Sequence, residues 1–154
     1  MEPGFNGKPK SFKQVPASGK TGPGAMDGVR LVLYRLPNVV ETARNGGIVA
    51  VVEGEKDAET LAAVGVTATT MPGGTGMGWD DEYTLLLKGA AEVIVVADRD
   101  AKGREPAARV ADSLGRHGFA YRVLESDRAK DITDHVAAGG TLDDICRVDV
   151  YVRN

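Results

Sequence analysis

The amino-acid sequence predicts an α/β fold with a central, mainly parallel β-sheet and helices on both faces. Short β-branched runs, such as residues 48–52 and 93–96, have the composition of strands buried on both faces. These runs alternate with longer segments of helical periodicity that end at glycine. Such alternation is typical of right-handed strand–helix–strand crossovers in a parallel sheet.

The individual elements follow from hydrophobic periodicity and from the residues that begin and end each segment. We predict strands over residues 29–36, 48–52, 66–71, 92–97 and 120–125. We predict helices over residues 37–44, 56–64, 80–87, 104–117 and 131–138, and a last helical turn over 142–146. Pro37 is favourable in a first helical turn, Gly65 and Gly118 end two helices, and Thr141 caps the last turn.

Length and composition fit one globular domain with a real core. The chain has 154 residues, 42% hydrophobic and 27% charged, and its net charge is −3. No apolar run reaches the length of a membrane span, so we expect a cytoplasmic protein without a membrane partner. A single cysteine, Cys146, excludes an internal disulfide framework and a cysteine-based zinc site.

Three regions are predicted along the chain. Residues 1–27 are rich in Gly, Pro and Lys and are predicted to be a flexible N-terminal segment, either a solvated linker or a tail that contacts phosphates. Residues 28–147 form the predicted domain, and residues 148–154 a C-terminal tail.

Acidic residues directly follow two of the predicted core strands. Glu53 comes after the run 48–52, and Asp98 and Asp100 come after the strand 92–97. The carboxyl ends of parallel strands border the crevice where open α/β sheets bind ligands. Alternate residues of an extended segment point the same way, so Asp98 and Asp100 can face one ion.

This set of carboxylates indicates a site for a hard divalent cation. Clustered carboxylates without His or Cys are typical ligands of Mg²⁺, and Mn²⁺ is the alternative ion. Two carboxylates placed close together repel each other, and a bound cation relieves that repulsion. A Mg²⁺ site in such a crevice indicates phosphate chemistry.

Three further acids have a structural and a functional interpretation. Asp57 either leans back toward the end of the preceding strand as a ligand or complements the helix dipole. Asp131 either caps its helix or supplies a ligand for a second metal ion. Glu55 is interpreted as a surface or capping residue.

Basic residues lie beside these acids in the sequence. Lys56, Lys102 and Arg104 either contact the phosphates of a nucleotide or balance charge locally. The glycine-rich loop over residues 71–79 is neither a Walker A motif nor a dinucleotide-binding G-x-G-x-x-G. Trp79 either packs over this loop or stacks on a base, and we favour packing.

The acidic motifs together resemble the Toprim domain, which bacterial-type primases, type IA and type II topoisomerases and several nucleases share. Glu53 matches the glutamate of the Toprim signature. Asp98 and Asp100 match the Asp-x-Asp of the family, and Asp57 matches a further acidic position seen in primases. The resemblance implies a Toprim, Rossmann-like fold.

Other segments resemble the primases of phages, plasmids and mobile elements. These segments are residues 130–134 with Gly139 and Gly140, residues 72–74 with Trp79, and the lead-in over residues 33–37. The resemblance covers about residues 29–145 and implies Mg²⁺-dependent nucleotidyl transfer by the catalytic domain of a DNA primase. The implied substrates are a single-stranded DNA template and nucleoside triphosphates.

The resemblance also implies roles for the acids. The implied catalytic residues are Glu53, Asp98 and Asp100, and the implied metal ligands are Glu53, Asp57, Asp98, Asp100 and Asp131. Glu53 acts either as a general base toward the attacking 3′-hydroxyl or as a ligand. A zinc-binding module and a helicase, which often accompany such primases, are expected in the parent protein or in trans.

Two other functions stay open. A Toprim-type nuclease uses the same acids to activate water, and metal-dependent loss of nucleic acid without nucleotides would indicate it. A catalytically silent module only binds nucleic acid or a partner protein, and a lack of Mg²⁺ binding would indicate that function. A receiver-like fold also holds Mg²⁺ with acids, but Glu-Gly at one strand end with Asp-x-Asp at another is not its pattern.

Overall fold

A sheet of five strands, counted over the described residues, forms the centre of the fold. The computed structural model describes residues 18–19, 32–72, 78–99, 101–125, 129–141 and 146–147. The strands are β1 Ile48–Val51, β2 Ala68–Thr69, β3 Glu92–Ala97, β4 Tyr121–Glu125 and β5 Cys146–Arg147. The helices are α1 Leu36–Arg44, α2 Glu55–Ala63, α3 Asp81–Leu86, α4 Ala101–Arg116 and α5 Ile132–Ala137.

The strand order in the sheet is β2-β1-β3-β4-β5. The first four strands are parallel, and β5 pairs antiparallel with β4 at one edge. The register of the two central strands places Val51 opposite Val95. The predicted α/β fold with a mainly parallel sheet is confirmed.

Helices cover both faces of the sheet because successive strand residues point to opposite sides. On one face Val49, Val51, Val93 and Val95 are in a cluster with residues of α1 and α4, among them Val39 and Leu114. On the other face Ala50, Val52, Ile94 and Val96 are in a cluster with α2 and α5 through Leu61 and Ile132. The apolar runs in the sequence therefore reflect strands that are buried on both sides.

The predicted strand over residues 29–36 is wrong in its described part. Residues 32 and 33 have no regular structure, Tyr34 and Arg35 form a turn, and α1 begins at Leu36. Arg35 has a left-handed φ of 55° that ends extended backbone before the helix. The Tyr34 N–H still donates to Thr70 O at 2.8 Å, so this segment bonds to the chain just beyond β2.

The remaining differences concern short or terminal segments. The predicted strand over residues 66–71 is limited to the two residues of β2, and α4 begins three residues before its predicted start. The predicted helical turn is wrong at Cys146, which pairs with Glu125 in β5. A two-residue strand has no detectable periodicity, and its pairing partner is distant in sequence.

Several predictions lie outside the described residues. They concern the N-terminal segment 1–27 apart from Ser18 and Gly19, the tail 148–154, and most of the glycine-rich loop. The predicted boundaries of the domain therefore stay predictions. Within the described part of the chain, no helix is both long enough and apolar enough to cross a membrane.

A buried histidine fixes the end of α5. His135 is 1% exposed, and its Nε2 lies 2.9 Å from Thr141 O, which requires a proton on Nε2 because a carbonyl only accepts. Gly140 packs directly against this ring, and a Cβ at Gly140 would lie 2.7 Å from Cε1 of His135. Gly140 of the Gly139-Gly140 pair thus makes room for the imidazole, whereas Gly139 has a left-handed φ of 85° and open space around it.

We predict that Gly140→Ala destabilises the protein by about 1–3 kcal/mol, because the added methyl overlaps a side chain that is itself buried. Urea unfolding followed by circular dichroism measures this change. Gly115→Ala is the matched control, since its Cβ would make an ordinary contact, 3.4 Å from Tyr121 Oη, within α4. Equal stability of both variants would contradict the packing argument.

Candidate metal centre

Glu53 lies directly beyond β1, at the carboxyl edge of the sheet. The backbone before it is held by a hydrogen bond from Val52 N to Thr69 O at 2.9 Å, and Thr70 Oγ1 donates to Glu53 O at 3.2 Å. Among the described side chains, Glu53 Oε2 is the buried polar atom without a hydrogen-bond partner. A buried carboxylate oxygen without a donor is costly unless a cation or a substrate supplies the missing interaction.

Asp98 follows β3, the neighbour of β1 in the sheet. Because β1 and β3 are parallel and in register, Glu53 and Asp98 leave the same edge of the sheet side by side. Burial is the main cause that raises the pKa of Asp98 to about 8, and contact with Glu53, as hydrogen bond and as like charge, is the next. The charges of Asp57 and Asp131 raise this pKa further.

Asp57 lies in the first turn of α2 and is only 9% exposed. Its Oδ1 accepts a hydrogen bond of 2.5 Å from Thr133 Oγ1 of α5. Burial raises the pKa of the Asp57 carboxyl, and the bond from Thr133 opposes that rise. The charge of Asp131 also raises this pKa, so both acids lie in one electrostatic environment.

Asp131 is the N-cap of α5. Its Oδ1 accepts a hydrogen bond from Asp134 N at 2.9 Å, so the capping interpretation is confirmed. The residue before it is tied to the Asp-x-Asp segment, since Arg99 N donates to Lys130 O at 3.1 Å. Asp131 therefore caps a helix and at the same time adds negative charge near Asp57 and Asp98.

The predicted basic residues differ in what the structure places around them. Lys56 is exposed beside Asp57, and its charge lowers the pKa of that carboxyl. Arg104 donates through Nε and Nη2 to Glu125, with both bonds at 2.8 Å. Arg104 is the main cause that lowers the pKa of Glu125. Asp100 and the side chain of Lys102 lie outside the described residues.

Glu125 is a buried acid at this edge that sequence reasoning missed. It is the last residue of β4, is 9% exposed, and faces the amino-terminal turn of α4 through its ion pair with Arg104. The signal was present, because Glu125 ends a predicted strand in the same way that Glu53 follows one. The ion pair connects the edge strand pair of the sheet to the helix that follows the Asp-x-Asp.

Trp79 packs, as predicted, against the core cluster that α4 shares with the sheet. Its Nε1 donates to Thr84 Oγ1 at 2.9 Å, and its ring lies 5.5 Å from that of Tyr83. Hydrogen bonds continue from Thr84 to Ser113 at 2.7 Å and from Ser113 to Asp81 at 2.7 Å. Because indole only donates and a carboxylate only accepts, every proton in this series points toward Asp81.

The donor set at the sheet edge fits a hard divalent cation in its chemistry. Glu53, Asp57, Asp98 and Asp131 supply oxygen ligands only, and one of these oxygens is buried without a partner. Within the described ranges, no three acidic, His or Cys side chains are arranged to hold a metal ion as they stand. The predicted ligand Asp100 is outside those ranges, and the neighbouring acids add to the effect of burial in raising the pKa of Asp98.

Comparison with known proteins agrees with this fold. Residues 48–141, more than half of the chain, match the family model of the Toprim domain, and the chain belongs to the Toprim family. The chain is 30% identical over 106 residues to the Gene 57 protein of Mycobacterium phage D29. That match covers 69% of this chain and 66% of the phage protein.

Solved structures of primases share the fold. A DNA primase domain from Pseudomonas aeruginosa is 26% identical with a TM-score of 0.59, and the match covers 71% of this chain and 35% of that one. The E. coli primase catalytic core is 22% identical with a TM-score of 0.61, covering 78% of this chain and 41% of that one. This chain therefore spans well under half of the primase chains that it resembles.

We predict that the metal-free protein loses stability as pH rises, because of Asp98. The folded pKa of about 8 lies above the ordinary value of 3.8, so the folded state holds this proton more tightly than the unfolded chain does. Stability conferred by the proton is present in full below pH 4 and is lost as pH rises through 8. Thermal unfolding in EDTA between pH 5 and pH 9 measures the loss.

Asp98→Asn removes the titration and keeps the shape of the side chain. At pH 9 we expect it to be more stable than the wild type by about 2 kcal/mol, well below the full value of the shift because Asp98 is only half-buried. At pH 5 the two proteins should be similar. Glu82→Gln, at an exposed position of α3, controls for the loss of one charge. A pH-independent difference would contradict the assignment.

Proposed function

We propose that this Toprim domain catalyses Mg²⁺-dependent nucleotidyl transfer on nucleic acid, as the catalytic domain of a DNA primase. The observation that carries the proposal is the edge where β1 and β3 end. There Glu53 has a buried oxygen without a donor, and burial, followed by the neighbouring acids, raises the pKa of Asp98. The fold of solved primase domains supports the same function.

The proposed ligands of Mg²⁺ are Glu53, Asp57, Asp98, Asp100 and Asp131. When bound, the ion supplies charge neutralisation for a nucleoside triphosphate and its leaving pyrophosphate. Mn²⁺ fits the same oxygen ligands. Glu53 has a lone pair without a donor, so it is also the proposed acceptor of the proton of the attacking 3′-hydroxyl.

Lys56, Lys102 and Arg104 are the proposed contacts to phosphate. Arg104 supports this role through its position, since its side chain is 50% exposed while Glu125 fixes its guanidinium plane. A guanidinium held in one orientation loses less entropy on binding an anion than a free one. Lys56 is exposed beside the acids and can reach a phosphate as a point charge.

The proposed substrates are a single-stranded DNA template and nucleoside triphosphates. The proposed domain extends over residues 28–147, so the zinc-binding and helicase modules of such primases would belong to the parent protein or act in trans. This placement agrees with the share of the primase chains that the sequence spans. Priming on a replication template also implies the cytoplasmic location that the sequence predicts.

Primer synthesis on single-stranded DNA tests the proposal. With labelled ribonucleotides and Mg²⁺ or Mn²⁺, we expect short RNA products. Asp98→Ala should reduce them by more than about 100-fold, because even residues behind a metal ligand typically cost 10- to 100-fold. Asp112→Ala is the control, since Asp112 lies exposed on α4 and bonds to Arg116. Its products should equal those of the wild type.

Other outcomes identify other functions. Cleavage of the template without nucleotides, lost in Asp98→Ala, would contradict the primase proposal and indicate a Toprim-type nuclease. If neither primers nor cleavage products form when zinc-binding and helicase modules are added, the domain is a module that only binds. Equal loss in Asp112→Ala would show that the effect of Asp98→Ala is not specific to the edge of the sheet.

A further inference from the structure

We propose that Thr133 is a positioning residue that fixes the Asp57 carboxylate for metal binding. The inference rests on the metal centre of the proposed function. It adds a residue that supplies no charge and is no ligand itself. Thr133 is the second residue of α5, and its hydroxyl lies 2.5 Å from Asp57 Oδ1 in the first turn of α2.

The direction of this hydrogen bond follows from the chemistry of the two groups. A carboxylate only accepts and a threonine hydroxyl has one proton, so Thr133 donates that proton to Asp57. Thr60 Oγ1 lies 3.1 Å from Thr133 Oγ1 and 3.0 Å from Lys56 O. The single proton of Thr60 goes to Lys56 O, because a carbonyl only accepts, so both hydroxyl protons are committed and Thr133 donates to Asp57 without a donor of its own from Thr60.

Burial makes the hydrogen bond from Thr133 to Asp57 important. Asp57 is 9% exposed, so water cannot replace a lost donor as it does at the surface. Thr133 is held in place by its neighbours along the chain, since Ile132 is 2% exposed in the core and Asp131 caps the same helix. The donor is therefore fixed before any ion arrives, which is the property expected of a residue behind a metal ligand.

The hydrogen bond between Thr133 and Asp57 links the two helices that hold Asp57 and Asp131. Asp57 belongs to α2 and Asp131 to the start of α5, and the Thr133 hydroxyl is the side-chain contact between Asp57 and that start. Loss of the hydroxyl leaves only the backbone hydrogen bond from Thr133, which has the smaller effect on the pKa of this carboxyl, to orient Asp57 near Asp98. We therefore expect the loss to weaken cation binding more than it weakens the fold.

Binding of Mn²⁺ to the full chain, followed by water-proton relaxation, tests the proposal without any measurement of activity. Thr133→Val keeps the shape and removes the hydroxyl, and we expect it to weaken Mn²⁺ binding about 10- to 100-fold. Thr133→Ser restores the donor and should bind as the wild type does. Mg²⁺ should displace Mn²⁺ from the wild type. The variants should rank in the same order in their affinity for Mg²⁺ as in their affinity for Mn²⁺.

Thr42→Val is a matched control. Thr42 of α1 pairs with Thr67 at 2.8 Å, and this pair involves no acid of the candidate centre. It should change thermal stability as Thr133→Val does and leave Mn²⁺ affinity unchanged. Thr133→Ala, which removes the hydroxyl without a β-branch, replaces Thr133→Val if circular dichroism shows that the valine variant does not fold.

A double-mutant cycle with Asp57→Asn separates positioning from a general effect on structure. In the Asp57→Asn background, Thr133→Val should cause no further loss of Mn²⁺ affinity, because the carboxylate that it positions is gone. Unchanged binding by Thr133→Val, or an equal loss in both backgrounds, would overturn the proposal. A wild type that binds no Mn²⁺ would overturn the metal centre and this inference together. Mn²⁺ binding that follows the expected order, without primer synthesis, would support this inference and contradict only the primase activity.

Discussion

The parallel pairing of β1 with β3 is the contact on which the rest of the structure depends. These are inner strands of the sheet, and their register sets Val51 opposite Val95. A slip of one residue would turn the side chains of a strand to the opposite face, and both apolar clusters would be lost. Hydrophobic packing on two sides therefore fixes the register, and the register places Glu53 beside Asp98.

The acids at this edge of the sheet differ in the hydrogen bonds that the protein donates to them. Asp131 is satisfied by Asp134 N, Asp57 by Thr133, and Glu125 by the paired nitrogens of Arg104. Each of those bonds comes from a helix that packs on the sheet. The two acids that leave β1 and β3 are different, because one has an oxygen without a donor and the other is pushed toward protonation. The acidic groups that the protein itself does not satisfy are thus the two that follow β1 and β3.

Much of this arrangement was predictable from the sequence, for reasons that the structure makes plain. The limits of β3 were predicted as observed, because its centre, residues 93–96, is a β-branched run buried on both faces. The nearness of Glu53 and Asp98 followed from parallel topology alone. The segment at Val32–Arg35 misled the prediction because Val32, Leu33 and Tyr34 form a consecutive apolar run as in a strand, while the left-handed Arg35 ends the extended backbone. The bonds from Thr133 to Asp57 and from Arg104 to Glu125 join residues far apart in sequence, and no local pattern encodes them.

The placement of the acids on inner strands has a dynamic consequence. Local opening usually relieves strain at low free-energy cost in termini, loops and edge strands, whereas central strands open only with the whole domain. The free-energy cost of ionising Asp98 beside Glu53 therefore cannot be relieved by fraying. In the absence of a cation this cost lowers the stability of the whole fold. Binding of a cation should therefore slow global opening, which amide hydrogen exchange in β1 and β3 measures.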